Sequence, residues 1–170
     1  QESLKKMVLE QADKDMKVFI KKSIRYFPNL YWEAFSSKMI LDIFDFYHDY
    51  QKSKKALSVK FLNYNNKEYG AVIVICPNRS GVLKDIVAGF NSSQINILGS
   101  RIISLNNNDI IDVFWVTSSI QKAIVEKNEQ ERVIQNITAS LNQEELETYQ
   151  QLFLTKIKVE VEPRITIDNK

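Results

Sequence analysis

The chain has 170 residues, with 23 Lys+Arg against 21 Asp+Glu and a formal net charge of +2. That balance excludes a strong field drawing in nucleic acid or an anionic membrane, and the length suits one ordinary domain, or a domain of about 90 residues with a helical extension. Cys76 is the only cysteine and lies in an apolar run, which excludes an intramolecular disulfide and points to a reducing cytoplasm.

From residue 2 to about residue 25, Leu4, Val8, Ala12, Met16, Phe19 and Ile20 recur near helical spacing between charged residues, with no Gly or Pro, and predict one amphipathic helix. Phe27-Pro28-Asn29 breaks it, and Leu30-Tyr31-Trp32 is expected to fold back as an aromatic clamp. A second helix starts at a Ser36 or Ser37 cap and runs through Met39, Ile40, Ile43, Phe44 and Tyr47 to about Tyr50. Its apolar stripe is broad enough to need cover from the first helix and from another surface. Lys52-Ser53-Lys54-Lys55 marks a boundary between a helical segment, 1–52, and a domain spanning 58–168.

Ser58 to Leu62 reads as a short strand, Asn63 to Asn66 as a turn, and Glu68 to Ile75 as a buried strand. Val82, Leu83, Ile86, Val87 and Phe90 mark one face of a helix ending near Asn91-Ser92-Ser93. Ile95–Leu105 and Asp109–Thr117 are strands joined by Asn106-Asn107-Asn108, a hairpin signal because asparagine tolerates positive φ. A helix from about Asn128 to Leu141 follows, then an Asn142/Glu145 capping box for a further helical stretch through Phe153. The closing strand falls at Ile157–Val161 or, past Pro163, at Arg164–Ile167. The predicted fold is α+β: a β-α-β-β-α-β order with two helices on one face of a four-stranded antiparallel sheet.

Chemistry is constrained by what the chain lacks. His48 is the only histidine, and although His48-Asp49 forms a His-Asp pair, a metal phosphohydrolase needs several further ligands of that kind. A Ser-His-Asp or Cys-His centre would have to draw on the same residue in the helical extension, which argues against covalent catalysis. Pro77-Asn78-Arg79-Ser80-Gly81 is different. Gly81 lets backbone amides converge, and the amides opening the next helix suit a carboxylate. Asn78 offers a donor and an acceptor to a zwitterion. Arg79 either pairs with a carboxylate or serves a structural or solvent-facing role. Asn96 would lie beside this turn if the first and second strands were neighbours, as a ligand contact or as a turn-satisfying hydrogen bond. Gly99 suggests a bulge or a close backbone approach. Phe114 and Trp115 point to opposite faces, and the strand carrying them lacks the basic and glycine flanks of an RNA-binding sheet.

The apolar runs are far shorter than the roughly 20 residues that span a bilayer, and no charged-then-apolar leader opens the chain, so a soluble protein is expected. The chain begins Gln1-Glu2, has its first methionine at Met7 and ends in strand-like sequence, as expected of a piece excised from a longer protein.

Pro77-Asn78-Arg79-Ser80-Gly81-Val82-Leu83, Ile95-Asn96-Ile97-Leu98-Gly99-Ser100-Arg101-Ile102 and Asp112-Val113-Phe114-Trp115-Val116 together resemble an ACT domain. These are regulatory, ferredoxin-like βαββαβ modules that often bind amino acids where two copies meet. With Phe27-Pro28-Asn29-Leu30-Tyr31-Trp32 upstream and Pro163-Arg164-Ile165-Thr166-Ile167-Asp168-Asn169 at the end, nearly the whole chain resembles the region between the HD domain and the second ACT domain of the bifunctional PII uridylyltransferase/uridylyl-removing enzymes. The resemblance implies a glutamine-sensing module without either catalytic centre and without cofactors. It implies a ligand site at Asn78, Arg79, Ser80, Gly81, Val82, Leu83, Asn96 and Ile97. The implied partners are a second ACT domain, the catalytic domains and, through the parent enzyme, the PII protein. Homodimers through ACT pairing are a further expectation. The family turn usually reads Pro-Asp-Arg-Pro-Gly, so Asn78 and Ser80 are departures, and without the second proline the turn is less rigid.

Overall fold

The computed structural model describes residues 2–62 and 68–142. The first apolar repeat forms two helices instead of the single one predicted, α1 (Glu2–Gln11) and α2 (Lys14–Ser23). The break falls at Asp13, whose backbone is extended and whose Oδ1 accepts from the Met16 amide at 2.8 Å. An aspartate offers the chain a cap in place of a continuing helix, and here the cap wins. A tight turn over Ile24–Tyr26 and the extended Pro28 lead into α3 (Asn29–Ala34).

Tyr31 and Trp32 on α3 are buried while Leu30 faces solvent at 62% exposure. The Tyr31 hydroxyl donates to the Ile40 carbonyl at 3.1 Å, and the Phe27 ring lies 4.6 Å from Tyr31 and 4.5 Å from Phe44. The clamp predicted for this segment therefore forms through Tyr31 and Trp32. Helix α4 (Ser37–Ser53) starts at the Ser36 cap, whose Oγ accepts from the Met39 amide, and ends at Lys54 in a left-handed conformation, φ 52°.

Four strands, β1 (Ser58–Leu62), β2 (Gly70–Pro77), β3 (Asn96–Ser104) and β4 (Asp109–Thr117), form a sheet in the order β1-β2-β4-β3 with every pair antiparallel. Helix α5 (Val82–Ser92) connects β2 to β3, and α6 (Lys127–Leu141) follows β4. Side-chain alternation divides the strands between two cores. Val72, Val74, Ile110, Phe114 and Val116 pack with Ile86 and Phe90 of α5 and Val133 and Ile137 of α6. Ala71, Ile73, Ile75, Ile111 and Val113 face the other way, onto Ile40, Ile43, Phe44 and Tyr47 of α4, in a cluster that also takes in Val8 of α1 and Ile20 of α2. The broad stripe on α4 is thus covered by α1, α2 and the sheet, and the Lys52–Lys55 run marks the end of a helix, with packing continuous on either side.

The sheet departs from the predicted strand order at one edge. The expectation closed the sheet with a strand downstream of α6, but β1 pairs with β2 along its whole length, from Ser58 opposite Ile75 to Leu62 opposite Ala71. Closure entropy favours this arrangement, because only residues 63–69 separate β1 from β2, whereas a downstream strand would return from beyond two helices and two strands. β1 is also two-faced, with Phe61 in the α5/α6 core and Leu62 in the α4 core. The predicted turn at Asn63–Asn66, the helix through Phe153 and both candidate closing strands lie outside the described residues.

The bulge suggested by Gly99 is present. The β3–β4 register slips between Ile97 and Gly99, leaving Leu98 unpaired and 60% exposed on the sheet edge. Among the described residues, no helix is long and apolar enough to cross a membrane.

Candidate functional site

β2 ends at Pro77, opposite Asp109, and the chain then crosses to the face occupied by α5. The Asn78 amide donates to the Asn108 carbonyl at 2.7 Å, tying the turn to the β3–β4 hairpin. Gly81 sits at the N-cap of α5 with φ 78° and ψ 0°, a left-handed conformation in which any other residue is strained. Having no side chain, it leaves α5 without a side-chain cap. The Val82 amide turns back to the Arg79 carbonyl at 3.3 Å, and the Gly81 carbonyl accepts from Asp85 at 3.0 Å. The partial positive charge at the head of this helix therefore opens toward exposed Asn78, Ser80 and Gly81. Leu83 is 41% exposed beside it, while Val82 turns into the core.

Arg79 takes the structural role of the two envisaged. Its Nη2 lies 2.7 Å from Asp85 Oδ2 and donates to the Leu141 carbonyl at 2.9 Å, and Nη1 donates to the Ser80 carbonyl at 3.2 Å. One guanidinium thus clasps the start of α5 to the end of α6. Asp85 already occupies the arginine.

Asn96 is not brought to this turn. β4 lies between β2 and β3, and the registers place Pro77 opposite Asp109 but Asn96 opposite Thr117, at the far end of β4. Eight residues of strand separate the two, roughly 25 Å at about 3.3 Å per residue. The Asn96 amide group instead donates to the Ser118 carbonyl at 3.2 Å, the turn-satisfying role of the two considered. Ile97, opposite Val116, is half-buried against the α5/α6 core. Within one protomer, the eight candidate residues therefore divide into a cluster at 78–83 and a pair at 96–97.

Two groups escaped the reading of the sequence. Asp112, in the middle of β4, is buried, and among the described residues neither carboxylate oxygen has a hydrogen-bond partner. Burial pushes its carboxyl up to about 7 from 3.8, and the Ile103 backbone acts in the opposite direction without offsetting it. The signal was present, since a charge at an i−2 position from Phe114 must share its face. The second is Tyr47, whose hydroxyl meets Asn107 and Asp109 of the hairpin, 60 and 62 residues away. No local pattern announces such a contact. The Cys76 thiol is pushed up to about 12, chiefly by burial and then by Asp112, which leaves it inert as a nucleophile.

Two hollows are of note, one distant from the turn and one against it. A cleft of about 370 Å³ at the opposite end of the sheet is lined by Tyr69, Leu98, Gly99, Ser100, Arg101 and Trp115, with the Arg101 guanidinium 6.0 Å from the Trp115 ring centre. A smaller one, about 180 Å³, adjoins Cys76, Pro77, Arg79 and Leu141 behind the turn. The chain matches no protein-family model and no curated protein.

Proposed function

We propose that this chain is a regulatory amino-acid-sensing module of the ACT type, from a PII uridylyltransferase/uridylyl-removing enzyme, with glutamine as the effector. The observation that carries the reading is the Asn78–Gly81 turn: a left-handed Gly81 heads an 11-residue helix with no side-chain cap, beside an exposed asparagine. Amides there suit the carboxylate of an amino acid, and the Asn78 side chain suits its ammonium and carboxylate together. The run β2-α5-β3-β4-α6, with both helices on one face, supports a ferredoxin-like split βαβ arrangement in which β1 takes the fourth position. A cytoplasmic location, and the PII protein as a partner through the parent enzyme, belong to the same proposal.

Two copies provide a way to unite the separated halves of the site. Among the described strands β3 is outermost, and pairing two β3 edges antiparallel sets Asn96 of one copy near the Ser104 end of the other, the end that carries residues 78–83. Exposed Leu98 and Ile102 on β3 give that edge an apolar character. The same edge favours a second reading, a purely structural pairing module with no metabolite.

Calorimetric titration with L-glutamine is expected to give saturable heat at millimolar ligand, weakened about tenfold or more in Asn78→Ala by loss of hydrogen bonds to charged groups. Absence of heat, repeated with the chain extended past Lys170, removes the sensor reading. Sedimentation equilibrium then separates the two functions: dimerisation that ignores glutamine supports the structural one.

A further inference from the structure

We propose that the tip of the β3–β4 hairpin mechanically couples the Asn78–Gly81 turn to helix α4, so that a change at the turn is felt in the helical layer on the opposite face of the sheet. The inference rests on the preceding section only for what occupies the turn.

The hairpin tip is bonded on both sides. Toward the helices, the Asn106 amide donates to the Tyr26 carbonyl at 2.9 Å and its side-chain Nδ2 to the Arg25 carbonyl at 3.2 Å. Asn107 Nδ2 donates to the Tyr47 hydroxyl at 2.8 Å, and that hydroxyl donates to Asp109 Oδ2 at 3.2 Å while accepting from Gln51 Nε2 at 2.9 Å. Toward the turn, Asn108, held at φ 69°, offers its carbonyl to the Asn78 amide at 2.7 Å, and Asp109 is the strand partner of Pro77. Gln51, Tyr47, Asn107, Asp109, Asn108 and Asn78 therefore form one connected chain.

Its centre is the Tyr47 hydroxyl, which gives one hydrogen bond and takes two on a side chain with no exposed surface. A hydroxyl saturated in this way has no spare partner, and a network of this kind is made or broken largely as a unit. Asn107 and Asp109 flank Asn108, so a displacement of Asn78 that carries the Asn108 carbonyl with it moves both groups on which Tyr47 depends. Tyr47 is also packed against Phe19 of α2, Phe27 and Tyr50. The disturbance thus reaches three parts of the helical layer from one residue.

Amide hydrogen exchange on the 170-residue chain tests this. In the absence of ligand, Tyr47→Phe keeps the ring and removes the hub, and is expected to speed exchange at residues 78–84 about tenfold while amides of Val133–Ile137 in α6 keep their rates. Asn107→Ala is expected to do the same. Unchanged rates at 78–84 in both variants overturn the coupling, as does an even acceleration that includes α6, which would be general destabilisation. With millimolar L-glutamine as the probe, the wild type is expected to gain protection at 78–84 and at Tyr47–Gln51, and Tyr47→Phe at 78–84 alone. Coupling seen without ligand, together with no response to glutamine in this chain or in one extended past Lys170, supports the relay and removes the glutamine reading; glutamine protection confined to 78–84 in the wild type overturns the relay and keeps the sensor.

Discussion

Gly89→Ala is expected to destabilise the fold by about 3 kcal/mol and to lower the melting temperature by roughly 6–12 °C, even though alanine is the better helix former. A β-carbon at Gly89 would lie 2.6 Å from the Ile137 Cα and 3.0 Å from its nitrogen, so the new methyl meets the backbone of α6. Backbone cannot swing aside, and the two helices must separate. Their contact is stitched next to this point: Asn136 Nδ2 donates to Ser93 Oγ at 2.9 Å, Ser93 Oγ donates to the Gly89 carbonyl at 2.9 Å, and Arg132 Nη2 donates to the Ser93 carbonyl at 3.2 Å. Separation therefore strains polar contacts as well as the Ile86–Ile137 core. Thermal unfolding followed by circular dichroism measures the effect, and a second substitution, Ile137→Val, is expected to restore little of it because the clash is with main chain. A Gly89→Ala protein as stable as wild type would show that α5 and α6 are not this close.

Asp112→Asn is expected to stabilise the protein above pH 7 and to leave it nearly unchanged near pH 4. The folded carboxyl holds its proton up to about pH 7 while the unfolded one ionises near 3.8. Between those values the folded state binds the extra proton, so wild-type stability falls as pH rises through this window and levels off above it. The integrated loss is on the order of 4 kcal/mol at about 1.36 kcal/mol per pH unit. Contributions from other titrating groups cancel in the difference between variant and wild type, so the readout is the difference in urea-unfolding free energy at pH 4, 5.5, 7 and 8. A difference that does not widen with pH shows that Asp112 is solvated or paired in solution. The expected pattern means that the charge is retained at a cost in stability.

Local patterns carried much of the architecture. The apolar runs at Ala71–Cys76 and Ile110–Val116 named buried strands, the spacing of Val82, Ile86 and Phe90 named a helix, Gly81 marked a turn, and Gly99 marked a bulge that exists. Asp13 was the local signal overlooked: its side chain ends one helix and starts another inside a run that satisfies helical spacing throughout. The candidate site was half legible. Residues 78–83 are contiguous and fold as a unit, whereas Asn96 was placed by assuming a neighbour relation between strands that the sheet does not adopt.

The sequence by itself determined which segments are strands or helices, which faces they bury, and where the chain turns back with glycine or asparagine, because each of these depends on side chains within a few residues of one another. Tertiary structure alone decided that β1 fills the edge beside β2, that β4 separates Asn96 from the turn, that Gly89 must be bare to admit α6, and that Tyr47 bolts the hairpin to the helices. Strand order and helix approach follow from loop closure and from competition among apolar faces for the same partners, and pairs 48 or 62 residues apart leave no periodic trace in the chain.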